Sequence, residues 1–83
     1  MSTASHVLRL LDETLGLQGR TAQFDAQTPL LGALPELDSM AVVSLITALE
    51  EQLGISIGDD EIDGQTFATV GALTRFVEAK LVA

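Results

Sequence analysis

A serine and an aspartate stand together where a proline-containing stretch gives way to an apolar run, in "LPELDSMAVV" at residues 34–43. A serine in this position, Ser39, can cap a helix, act as a nucleophile or carry a group that another protein attaches. A nucleophilic serine needs a base, usually a histidine, and an oxyanion site. The one histidine, His6, lies in a separate predicted helix, and no Gly-x-Ser-x-Gly motif surrounds Ser39. These residues argue against a serine hydrolase.

Carboxylates are the other chemically active groups, and most of them lie in one part of the chain. The chain has 12 acids and four bases, for a net charge of −8, and eight of the acids fall between Glu36 and Asp63, where no Lys or Arg occurs. Such a surface repels nucleic acid and anionic membranes and attracts basic protein surfaces. Solubility alone is the alternative explanation for this acidity. Because the acids lie in polar, glycine-flanked sequence, we expect them to be solvated rather than to act as a general acid and base.

The acidic stretch "DDEIDG", at 59–64, imitates the first half of a calcium-binding loop. The twelfth position of such a loop should supply a bidentate glutamate, but here it is Val70. The chain also has no cysteine, which excludes disulfides and thiolate metal sites. We therefore predict no specific metal site. A protein that binds divalent cations through residues 59–63 is the weakest of the alternative hypotheses.

The elements that must position these groups are helical. Apolar periodicity and capping residues predict one helix from about Thr3 to Leu15, a second from Asp38 or Ser39 to Leu53, and a last helix capped by Thr69. A long ordered loop, with Phe24, Leu30, Leu31 and Leu34 packed on the bundle, should join the first two helices. The acidic stretch predicts one short turn. The expected fold is all-α: a small four-helix bundle with three longer helices and a short third helix, forming a single domain over residues 1–83.

The second helix presents two different faces. At 100° per residue, one stripe is entirely apolar and should be core, which makes this helix the expected centre of packing. The stripe comprises Val42, Leu45, Ile46, Leu49 and Leu53. A separate flank mixes apolar and acidic side chains, which suggests a partner-binding surface. Single exposed apolar side chains are also normal in soluble proteins, so an ordinary solvent-exposed face is the alternative. The flank comprises Met40, Val43, Thr47, Glu50 and Glu51.

Membrane and secretory features are missing from the sequence. Charged residues interrupt the opening "MSTASHVLRLLDETLG", and no stretch approaches the roughly 18 apolar residues of a membrane span. We predict a cytoplasmic, monomeric protein without stable membrane insertion.

The stretch "ELDSMAVVSLITALEEQLGISI" resembles the second helix of acyl carrier proteins and related carrier domains. In that family, an Asp-Ser-Leu triplet is followed by an apolar-patterned helix and an acid pair. The resemblance continues through "TPLL" in the first loop, the acidic third segment and "FATVGALTRFVEAKL" at the last helix. The run "LLGALPELDSMAVVSLITALEEQ" also looks like carriers associated with bacterial exosortase gene clusters. Coverage of most of the chain makes the carrier resemblance more specific than the triplet alone.

The resemblance implies that a phosphopantetheinyl transferase attaches 4′-phosphopantetheine from coenzyme A to Ser39, next to the matching Asp38. The arm's thiol would carry acyl groups as thioesters, and the protein itself would not be an enzyme. It further implies that acyl-activating ligases, synthases or acyltransferases with basic docking patches bind the flank of the second helix. Matching positions on that flank are Met40, Val43, Glu50 and Glu51.

This chain also departs from the family pattern. Met40 replaces the usual leucine, and Ala41 and Ser44 stand where carriers of fatty acid synthesis generally have acids. This difference favours a dedicated biosynthetic pathway, with polyketide or aminoacyl and peptidyl intermediates as alternatives. A hypothesis of a different class is an unmodified acidic adaptor, in which Ser39 only caps the helix.

Overall fold

The computed structural model describes residues 2–82, apart from the side chain of Asp59, and its architecture is helical. The three α-helices are α1 (Thr3–Leu15), α2 (Ser39–Leu53) and α3 (Val70–Val82). Two 3-10 turns accompany them, at Arg20–Gln23 and Asp59–Glu61. The predicted all-α bundle is confirmed, with the short third helix present as the second 3-10 turn. The first 3-10 turn was not predicted.

Local signals set the ends of α1 and α2. The Ser2 hydroxyl accepts a hydrogen bond from the Ser5 N–H at 3.2 Å and caps α1. Gly16 and Gly54 end α1 and α2 in the left-handed conformation, with φ of 65° and 66°. Glycine adopts this conformation without the steric cost that other residues meet. The predicted helix bounds are therefore confirmed, because they depended on residues adjacent in sequence.

The core shows that α1, and not α2, is the central helix. Among the described elements, α1 packs closely against both α2 and α3, while the backbones of α2 and α3 remain largely apart. In α2, only Leu45 and Leu49 of the predicted stripe are fully buried. The prediction that α2 is the centre of packing is wrong, because three of its stripe residues, Val42, Ile46 and Leu53, are only half-buried, and α1 is the helix that packs against both others. The buried core comprises Val7, Leu10, Leu11, Leu17, Leu30, Leu37, Leu45, Leu49, Phe67, Val70, Leu73 and Val77.

The first connection, residues 16–38, is ordered and tied to the start of α3. Leu30 and Leu37 are buried within it, and Phe24 and Leu34 pack against the core, as predicted. Leu31 is 41% exposed, so the expectation that it packs on the bundle is wrong. Backbone bonds fix the pairing of this connection with residues 67–71: Leu30 N–H to Ala68 O, Leu31 N–H to Phe67 O, Val70 N–H to Thr28 O and Gly71 N–H to Ala26 O.

None of the helices in residues 2–82 combines the length and the apolar character needed to cross a membrane.

Candidate functional site

Ser39 is the first residue of α2, and its neighbour Asp38 caps the helix. The Asp38 carboxylate accepts a hydrogen bond from the Ala41 N–H at 2.8 Å, with the Asp38 backbone extended as an N-cap requires. The Ser39 side chain is exposed and makes no hydrogen bond to any described residue. The hypothesis that Ser39 serves only as the helix cap is therefore wrong.

The start of α2 suits a phosphodiester. The first N–H groups of a helix lack partners within the helix, and they lie at the positive end of its dipole. Asp38 satisfies the N–H of Ala41 and leaves the Ser39 hydroxyl free. A phosphate joined to that oxygen would meet unpaired backbone donors. The residues present thus fit a phosphopantetheine group.

Ser39 borders an open cleft of about 630 Å³. Three segments form its walls: the end of the first connection, the first turn of α2 and residues 62–67. Leu37 and Phe67, both almost fully buried, contribute apolar surface. His6 does not line the cleft, so no base of the kind that a catalytic serine needs stands there. The lining residues are Leu31, Gly32, Leu37, Asp38, Ser39, Val42, Ile62, Asp63, Gly64 and Phe67.

The predicted partner flank of α2 divides into two parts. Met40 is 74% exposed and Val43 is 59% exposed, which is high for large apolar side chains. Thr47 and Glu51 are exposed as well. Glu50 differs, because it is half-buried and its carboxylate accepts a hydrogen bond from the Ile57 N–H at 2.8 Å. Sequence reasoning missed this bond, which closes only when the chain turns back after Gly54.

Glu61 also has an internal partner. Its carboxylate lies 2.7 Å from the Lys80 ammonium and accepts a hydrogen bond from the Gly58 N–H at 2.8 Å. The hydrogen bond from Lys80, and then that from Gly58, lowers the pKa of Glu61 below its ordinary value of 4.5. The ion pair thus joins the second 3-10 turn to α3.

Glu36 forms a second long-range ion pair, with Arg20 of the first 3-10 turn. A backbone hydrogen bond lowers the pKa of Glu36, and the hydrogen bond from Arg20 lowers it further. The acidic region is therefore only partly a solvated surface, because several of its carboxylates hold backbone or basic groups of the same chain.

Metal binding gains no support from the arrangement of the acids. Within the described part of the chain, no three His, Cys, Asp or Glu side chains gather into a group that could hold a metal ion. The side chain of Asp59, the first position of the calcium-like stretch, lies outside that part. In the same stretch, one carboxylate oxygen of Asp63 accepts hydrogen bonds from the Gln65 and Thr66 N–H groups, at 2.9 and 3.0 Å.

Comparison with known proteins identifies the family. The sequence matches the family described as "Phosphopantetheine attachment site" over residues 5–77. The chain belongs to this family. It is similar to the probable acyl carrier protein PigG of Serratia sp. (strain ATCC 39006), with 37% identity over 62 residues, 75% of this chain and 70% of that protein.

A solved structure agrees with the family over the whole chain. The solution NMR structure of a holo acyl carrier protein from Nitrosomonas europaea superposes with a TM-score of 0.92, at 49% identity and 100% coverage of both chains. The acyl carrier prediction is confirmed: the protein carries covalently attached phosphopantetheine and is not itself an enzyme. It interacts with a phosphopantetheinyl transferase and with biosynthetic enzymes.

Proposed function

We propose that the arm is attached to Ser39 and that residues 1–83 act as one carrier domain. This proposal rests on the different roles of two adjacent residues at the start of α2. Asp38 provides the cap, so the adjacent Ser39 hydroxyl is exposed and free for modification. A serine that capped the helix would have to give up its bond to the backbone before or during attachment.

The partner surface that we propose contains Met40, Val43, Thr47 and Glu51. It begins beside Ser39 and continues along the exposed side of α2. Two large exposed apolar side chains and one free carboxylate favour a partner with an apolar patch and a neighbouring basic residue. Such a surface would bring a ligase, synthase or acyltransferase close to the arm.

The pathway that we propose is a dedicated one rather than general fatty acid synthesis, with the carrier acting as a cytoplasmic monomer. Support comes from Ala41 and Ser44, which leave the front half of α2 without an acid after Asp38. Ala41 is half-buried and packs against the core, so it lies partly below the surface that a partner would contact. Polyketide and aminoacyl or peptidyl intermediates are the alternative cargoes. Mass spectrometry of the holo-protein from its own cells would identify the group on the thiol.

Intact-mass analysis tests the attachment site. The protein is incubated with coenzyme A, Mg²⁺ and a phosphopantetheinyl transferase, and we expect it to gain the mass of one arm. Ser39→Ala should gain nothing. Ser44→Ala is the matched control, because Ser44 is another exposed serine of α2, and it should be modified like the parent protein. A gain that persists in Ser39→Ala would exclude this site, as would failure of the parent protein with several transferases.

A further inference from the structure

The segment after α2, residues 54–61, is anchored to the core only by Ile55 and Ile57, which are half-buried. None of its described side chains is fully buried. Gly54, with φ of 66°, reverses the chain, and the Ile57 N–H then meets the carboxylate of Glu50 in the last turn of α2, at 2.8 Å. A hydrogen bond with an ionised acceptor is roughly twice as strong as a neutral one. Glu50 is therefore well placed to hold this segment.

Glu50 and Glu51 have the same side chain but different surroundings. Glu50 is half-buried and bonded to the backbone, while Glu51 is exposed and has neither a hydrogen bond nor an ion pair to any described residue. A basic partner group that approached Glu50 would compete with the Ile57 amide. One that approached Glu51 would compete only with water.

The bond to Glu50 is the first in a series that leads to the cleft. The Gly58 N–H, next to Ile57, binds the Glu61 carboxylate, which Lys80 of α3 holds at 2.7 Å. The following residues, 62–64, form a wall of the cleft beside Ser39. Whatever fixes residues 54–61 thus fixes the start of that wall.

We propose that Glu50 is a positioning residue that holds residues 54–61 and, through them, the cleft wall, and that Glu51 is the acid of the pair that partners contact. The part that concerns partners rests on the proposed function. The part that concerns positioning does not, because it is a property of the unmodified protein.

Amide exchange in the unmodified protein tests the positioning role. Glu50→Asp keeps the charge but shortens the reach, and we expect exchange of the Ile57 N–H to rise at least about tenfold, since such bonds contribute about 1.5–3 kcal/mol. Glu50→Gln keeps an acceptor at the same reach and should give an intermediate rate. Glu51→Asp and Glu51→Gln are the matched controls, and both should leave Ile57 unchanged. Unchanged exchange in Glu50→Asp, or an equal rise in Glu51→Asp, would overturn the positioning role.

Transferase kinetics test the assignment of Glu51. Removal of its charge in Glu51→Gln should raise the KM of the transferase for the carrier about two- to fivefold, the loss expected for one exposed ion pair. Glu50→Gln, which removes the same charge one residue away, should raise KM less. An equal or larger rise in Glu50→Gln would refute the assignment. Failure of the attachment proposal would look different. If Ser39 were not the attachment site, Ser39→Ala would still be modified, while the amide exchange of Ile57 would still report on Glu50.

Discussion

The two segments that flank α2 differ in how deeply they are packed, although each has an ion pair, Arg20–Glu36 in the first and Lys80–Glu61 in the second. The first connection buries Leu17, Leu30 and Leu37 and pairs its backbone with residues 67–71. Residues 54–61 pack only the half-buried Ile55 and Ile57 against the core, and the carboxylates of Glu50 and Glu61 hold two of their N–H groups as well. Both segments lead to the cleft at Ser39: the first ends in the wall that contains Leu37, and the second runs into the wall formed by residues 62–67.

This difference indicates which of the two segments a partner, or a change of solution conditions, can move. Apolar burial and backbone hydrogen bonds do not depend on the charge of a side chain, whereas bonds to carboxylates weaken when the acid is protonated or meets a competing cation. We therefore expect the first connection to behave as the more fixed segment and residues 54–61 as the more adjustable one. Three comparisons test this difference, in order of decreasing effect.

The largest effect is expected from adding a methyl group at a point where each segment is held. A Cβ on Gly71 would lie 2.8 Å from the Ala26 carbonyl oxygen, which is backbone and cannot move without breaking the pairing. Overpacking costs about 1–3 kcal/mol, more than the roughly 0.5–1 kcal/mol that alanine gains over glycine in a helix. Gly71→Ala should therefore lower the free energy of unfolding, measured in urea.

Gly58→Ala is the counterpart in residues 54–61. Its Cβ would meet the carboxylates of Asp60 at 2.7 Å and Glu61 at 3.3 Å, but both side chains are exposed and their ends can shift without moving the backbone. We expect a smaller loss, of about 0.5 kcal/mol or less, as for an ordinary surface substitution. Equal losses for the two alanine variants would contradict the distinction between a fixed first connection and an adjustable segment 54–61.

An intermediate effect is expected where the first connection meets α2. Asp38→Ala removes the cap and should lower the free energy of unfolding by about 0.5–2 kcal/mol. Ser39→Ala removes a hydroxyl that has no described partner, and it should change stability by less than about 0.5 kcal/mol. Thermal unfolding followed by circular dichroism measures both. A Ser39→Ala loss as large as that of Asp38→Ala would mean that the serine shares the capping role.

The smallest effect should depend on pH. Because the folded-state pKa of Glu61 lies below 4.5, the unfolded chain binds more protons as the pH falls, and the stability from this acid is present above pH 4.5 and lost below it. Lys80→Met removes the ion pair. Its deficit in Tm should be largest near neutral pH and shrink as the pH falls through the folded-state pKa. The deficit of Gly71→Ala, which involves no charge, should stay nearly constant. A Lys80→Met deficit that persists undiminished at low pH would exclude the ion pair as its cause.

Much of the fold was predictable because its signals are local. Each residue that caps or ends a helix forms a hydrogen bond with a residue at most four positions away. These residues mark the same helix ends in the sequence and in the structure: Ser2, Gly16, Gly54 and Thr69. The exposure of Met40 and Val43 was predictable for a similar reason, since helical geometry alone separates them from the buried stripe.

Other features required the folded chain. Either Asp38 or Ser39 can cap a helix by composition, and only the backbone path shows that Asp38 does so. Leu31 and Leu30 are equally apolar, but the pairing with residues 67–71 buries one and exposes the other. The central place of α1 depends on which helices meet in space, and periodicity within one helix carries no information about its neighbours.

By itself, the sequence determined the helices, the place of Ser39 at the start of α2 and an outward-facing flank, because each depends on the spacing of residues along one element. Tertiary structure alone decided which of two adjacent acids is free. Glu50 and Glu51 are identical in composition and neighbours in sequence, but the chain reversal at Gly54 brings the Ile57 amide to Glu50 and leaves Glu51 in water. A hydrogen bond depends on where two atoms meet in space, and that position is set by the fold as a whole.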